Sequence, residues 1–175
     1  METQQSKIVV AIIITAIVVG GAVYYFMGTK NPETASPKKE NSSFTQSSKE
    51  YAVMGREIWS AFECSAWASK VDDSKEAERL FMFGYSQGQK FLGALKAEKI
   101  KQEDISSEVP IGVTMLLQGP SEEFMLGRIF ENAQEEALNE VFYTNYDRSN
   151  LNPEDLQKSI AGNKFRDGNC QLIGK

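Results

Sequence analysis

Apolar positions along this chain follow two regimes: one uninterrupted run near the start and, after a polar stretch, a series of recurrences at three and four residues. Residues 8–27 (IVVAIIITAIVVGGAVYYFM) hold no charge, with Lys7 and Lys30 on either side. At roughly 1.5 Å per helical residue, about 20 residues cross a ~30 Å hydrocarbon layer. The run therefore predicts one transmembrane helix behind a short tail, residues 1–7, with Tyr24, Tyr25 and Phe26 where an interfacial aromatic belt sits. A cleaved signal peptide is the rival reading, because Gly20-Gly21-Ala22 supplies small residues after a short apolar stretch. Continuation of the run to Met27 favours an uncleaved signal anchor. No Cys lies just after it, which argues against lipoprotein processing. Ala16 and Gly20 have the small-xxx-small spacing that lets two spans pack and self-associate, although small residues are common in spans generally.

Residues 28–48 (GTKNPETASPKKENSSFTQSS) carry one large apolar residue, Phe44, and bury too little to fold, so they predict a flexible polar linker. From 49 to 175 the helical period takes over. Met54, Ile58, Ala61, Phe62, Ser65 and Ala66 predict a helix of about five turns, flanked by Trp59 and Trp67. Val71-Asp72-Asp73-Ser74 breaks it and supplies N-cap candidates for a second helix. That helix buries Leu80, Phe83, Gly84, Gly88, Phe91, Leu92 and Leu95 and ends near Ala97. Residues 101–108 read as loop or a single turn, and Pro110 as the first residue of a short helix covering Val113, Met115, Leu116 and Leu117, with a buried strand as the alternative.

Gly119-Pro120-Ser121-Glu122-Glu123 is the strongest local signal, a helix start with Pro at the first turn and acids facing the positive end of the dipole. Its helix runs to about Phe142 on Phe124, Leu126, Ile129, Phe130, Ala133, Ala137, Leu138 and Val141. Asn152-Pro153-Glu154-Asp155 repeats the start, with Asn152 as cap, Leu156, Ile160 and Phe165 facing inward and Gly168 at the end. The expected fold is all-α, one span plus a compact domain of four to five helices.

Charge narrows the partners. The chain has 19 basic and 24 acidic residues. Residues 41–175 hold 15 Lys and Arg against 21 Asp and Glu, a net −6, which disfavours a nucleic-acid backbone and suits a basic protein partner. Histidine is absent, removing the commonest general base, the commonest metal ligand and every His-activated nucleophile. No metal site, cofactor site or catalytic residue is predicted. Cys64 and Cys170 are the only cysteines, and a bond between them would staple the end of the domain to its beginning in an oxidising compartment, inert thiols being the alternative. Gly84 and Gly88, four apart on one helix, predict either a notch for close helix packing or a ligand groove. Glu131 and Glu135, with Glu136 and Glu140, form either a solvated helix face or an acidic docking face.

Orientation rests on two opposed signals. Lys30, Lys38 and Lys39 behind the span would, by the positive-inside rule, place the domain in the cytoplasm. The cysteine pair and the signal-anchor layout favour a periplasmic or other extracytoplasmic domain on an inner or plasma membrane. A tethered helical domain with a cysteine early and another at its end is similar in layout to small periplasmic helical proteins such as the immunity proteins that neutralise cell-wall enzymes, and looks like small periplasmic acid-stress chaperones. The resemblance covers architecture alone. It implies a membrane-anchored, non-enzymatic binding module acting through a protein partner; the alternatives are a structural subunit of a membrane complex and a carboxylate-based hydrolase.

Overall fold

In the computed structural model, residues 46–144 and 148–175 are described. The predicted span, its small-residue pair and most of the linker lie outside them. No helix among the described residues is long and apolar enough to cross a membrane.

Six α-helices rather than four or five make up the described part: α1 Ser48–Lys70, α2 Ser74–Lys96, α3 Gln102–Glu108, α4 Ile111–Thr114, α5 Glu122–Phe142 and α6 Glu154–Asp167, with a 3-10 turn at Cys170–Leu172. No strand occurs among these residues, only an isolated antiparallel bridge between Tyr143 and Leu151. The strand alternative for the IGVTMLL run is therefore replaced by a single helical turn.

Each long helix starts on a side-chain cap. Ser47 Oγ accepts from Glu50 N–H while the Glu50 carboxylate accepts from Ser47 N–H, so α1 begins inside the stretch expected to be linker. Asp73 accepts from Glu76 N–H to start α2, and Ser121 accepts from Phe124 N–H to start α5. Pro120 thus precedes the cap rather than opening the helix.

The start of α6 differs more. Pro153 occupies the cap position and Asn152 is buried, where its amide donates to Val141 carbonyl and accepts from Thr144 hydroxyl. A carboxamide can satisfy both needs at once, so Asn152 ties the end of α5 to the start of α6 instead of capping. Gly168 does end α6, and the left-handed residue is the following Asn169. Residues 102–108 form two turns rather than a loop, with Glu103 and Asp104 at the positive end of the dipole. Ser48 hydroxyl bonds the Asp104 carboxylate and accepts from Lys101 N–H, which fixes α3 beside the start of α1.

α1 packs against every other element. Its stripe of Met54, Ile58, Ala61, Phe62, Ser65 and Ala66 is buried as the period predicts. The main core joins Ile58 and Phe62 to Phe91, Val113, Leu126 and Ile129. Phe62, Phe81 and Phe130 meet with edge-to-face contacts at 5.1 and 5.2 Å between centroids. A smaller core at the other end gathers Cys64, Ala68, Leu80 and Cys170. Two expected inward positions lie outside: Phe124 and Leu156 are exposed, each in the first turn of its helix, ahead of the point where α1 covers the stripe.

Candidate functional site

Cys64 and Cys170 form a disulfide with a Cα–Cα distance of 5.5 Å. Both are buried, beneath Trp67, Phe165 and Ile173. Arg79 adds a polar clamp: Nη1 donates to Ile173 carbonyl at 2.6 Å, and Nε and Nη2 fork onto the Glu76 carboxylate. The hydrogen bonds from Arg79 hold the Glu76 carboxyl below its ordinary range. With both sulfurs oxidised neither cysteine is a nucleophile or a metal ligand. No group of His, Cys, Asp and Glu suited to a metal ion occurs among the described residues.

The Gly84–Gly88 notch is filled. A Cβ at Gly84 would meet Phe62 Cε1 at 2.8 Å, and one at Gly88 would meet Leu126 Cδ2 at 2.3 Å. These glycines let α1 and α5 seat their largest core side chains against α2, and the notch has no room for a ligand.

Glu131 and Glu135 are exposed on α5 and border a cavity of about 370 Å³ together with Leu138, Phe142, Tyr143 and Arg148. Arg148 Nη2 lies 3.1 Å from Glu135 and its guanidinium stacks near the Tyr143 ring. Glu140 pairs with Lys164. The predicted acidic face is thus partly neutralised from within. Glu63, by contrast, sits half-buried on α1 between Trp59 and Trp67, and burial pushes its carboxyl above the ordinary range; a hydrogen bond with Trp59 opposes this, nearby Glu136 reinforces it and Lys164 opposes it.

The most exposed large apolar side chains lie elsewhere. α4 is a single turn, so only one of its directions can face the core: Val113 is fully buried, while Ile111 is 76% exposed and Met115, one turn on, 71% exposed. The short helix expected to extend over Met115, Leu116 and Leu117 ends at Thr114, with Met115 at its C-terminal cap position. Gly112 brings α4 down onto the Trp59 ring, where a Cβ would stand 2.4 Å from Cη2, so α4 is seated firmly with its two apolar side chains outward. Along the connection to α5, Phe124 is exposed beneath the Arg128 guanidinium, which is fixed by donation to Gln118 carbonyl at 3.1 Å. A cleft of about 290 Å³ opens here between Leu92, Leu95, Leu117, Gly119, Pro120 and Met125. Rigid seating, exposed aliphatic groups and an apolar cleft on one edge are the attributes of a docking surface.

No family model, no curated protein and no solved structure matches this chain.

Proposed function

We propose that this chain is a non-enzymatic binding module, anchored to a membrane by residues 8–27 with its helical domain on the extracytoplasmic side, which engages a protein partner through the α4–α5 edge. The observation that carries the reading is the exposure of Ile111 and Met115 on a turn held in place by Val113 and Trp59. Exposed aliphatic pairs on rigid backbone cost little ordering when a partner covers them. The buried disulfide supports an oxidising compartment, and the uncharged 8–27 run supports the anchor. The net −6 of residues 41–175, with Glu122 and Glu123 beside Phe124, supports a partner with a basic rim around an apolar centre. Among the carboxylates that border cavities, Glu50 is engaged in the α1 cap and Glu135 by Arg148.

Photo-crosslinking in membranes tests the proposal. A photoreactive residue placed at Ile111 or Met115 of the full chain should give one discrete protein adduct, absent from the same probe at the exposed position Gln89. Adding Ile111→Asp should abolish the adduct formed from position 115. Identical adducts from all three positions would sink it.

A further inference from the structure

The α4–α5 edge carries a projection and a hollow side by side. Residues 109–121 hold no charge, and from this stretch Ile111 and Met115 stand exposed. The hollow is the cleft of about 290 Å³, with Leu92, Leu95, Leu117 and Met125 as its apolar lining. Leu117 lies two residues from Met115, so projection and hollow are neighbours. Met115 does not fill the hollow of its own chain. Val113 in the core and Gly112 against Trp59 fix the turn that precedes it, and its side chain remains in solvent.

The charged groups of the cleft select among occupants. They are Lys96 and Glu122, one of each sign, and neither forms an ion pair with a described residue. A cationic insert would meet Lys96 and an anionic one Glu122, over an apolar lining that compensates neither. An uncharged insert with a long aliphatic side chain meets no such penalty. An apolar cavity of about 150 Å³ holds a benzene ring, so this cleft admits a methionine side chain, whose unbranched thioether adapts to irregular walls. The uncharged stretch 109–121, with Met115 exposed upon it, is an insert of that kind.

We propose that the partner of the α4–α5 edge is a second copy of this chain, with Met115 of each copy seated in the cleft of the other. The inference rests on the reading of that edge as a docking surface and names its partner. A surface that bears both a projection and a matching hollow is self-complementary, which a two-fold interface requires, since every contact is then made twice. The second copy also brings Lys96 and Arg128 to the edge, the basic groups called for around an apolar partner centre. Two copies anchored in one membrane by residues 8–27 meet at raised effective concentration, so an interface of one turn and one cleft per copy is enough to hold them.

The test uses two full-length copies in membranes, with different epitope tags and a photoreactive residue in place of Ile111. The parent pair should give an adduct of twice the chain mass that bears both tags. Met115→Glu in both copies, or Met125→Lys in both, should lower its yield by at least about tenfold, since each sets an unpaired charge into an apolar cleft twice. Co-expression of a Met115→Glu copy with a Met125→Lys copy should bring the yield back to within about threefold of the parent, because the introduced carboxylate then meets the introduced ammonium. Leu95→Lys, on the α2 wall of the cleft, takes the place of Met125→Lys if that variant melts early. An adduct with a different protein overturns the two-copy assignment and leaves the docking reading standing; no adduct from position 111 overturns both. A two-copy adduct indifferent to these substitutions, as association through the span alone would give, or no recovery in the mixed pair with either cleft variant, overturns the assignment as well.

Discussion

The tail at 168–175 and the segment at 97–121 are both short on regular structure, yet the domain holds them in opposite ways. The tail has one 3-10 turn, and it is fixed by a covalent bond to α1, by Arg79 on its carbonyls and by Ile173 in the smaller core. The segment has no covalent tie. It is pinned by single apolar side chains, Ile100, Val109 and Val113, entering the main core, and by Glu108 between Lys49 and Arg56. The tail turns Cys170 and Ile173 inward and leaves Leu172 exposed; the segment leaves Ile111 and Met115 outside. On the proposed reading the difference separates stability from recognition: the tail closes the domain, and the segment offers the surface proposed for docking.

The largest way to break this contrast is to remove the staple. The disulfide links positions 106 apart, and closing a loop of about 100 residues contributes roughly 4 to 5 kcal/mol in the chain-entropy model. Cys64→Ala combined with Cys170→Ala should lower the melting temperature by about 15 °C in thermal circular dichroism, while adduct formation from position 115 survives below the transition. A fall of less than about 3 °C would show that Arg79 and the smaller core hold the tail unaided.

Val113→Ala should cost about 2 kcal/mol in urea unfolding, since Val113 is the α4 side chain in the core. It should also loosen the edge and broaden the crosslinking pattern. A loss below about 0.5 kcal/mol would mean that α4 is held by Trp59 and Gly112 alone.

Glu63 lies between the two regions, next to Cys64 and bonded to Trp59. Its carboxyl is raised in the folded state, so the folded protein holds that proton at pH values where the unfolded chain has released it. The resulting stability is fully present below the unfolded carboxylate value of about 4.3 and is lost as pH rises through the higher folded value. Glu63→Gln should flatten the fall in melting temperature that sets in above about pH 4.3. An unchanged profile would place the proton on another group.

The smallest stability effect is expected at Ile111. Ile111→Ser should stay within about 0.5 kcal/mol of the parent, because the side chain leaves no cavity when removed. It should still abolish adduct formation from position 115. Two residues apart on one turn, Val113 and Ile111 should therefore separate folding from binding; a shared loss of stability would erase the distinction drawn between segment and tail.

Helical period alone located α1, α2 and α5 with their buried stripes, because a long amphipathic helix has only one face it can bury. The early start of α1 was missed, although Ser47 followed three residues later by Glu50 is the pattern of a capping box. α3 was not legible, since its seven polar-rich residues are helical through Ser48 and Glu108 contacts with α1 rather than through any period of their own. The edge proposed for docking had no sequence signal. IGVTMLL is apolar throughout, and nothing in it marks which side chains a single turn turns outward.

The sequence by itself determined an uncharged run long enough to span a bilayer, an all-helical domain, the approximate extent of its three longest helices, a negative domain and a chemistry without histidine, since each follows from local composition or periodicity. Only the tertiary structure decided that Cys64 and Cys170 meet, that Phe62 and Leu126 fill the glycine notch, that Asn152 closes a loop, and that Ile111 and Met115 face outward. Those outcomes depend on which faces of distant helices come together, and α1, which touches every other element, sets them all at once.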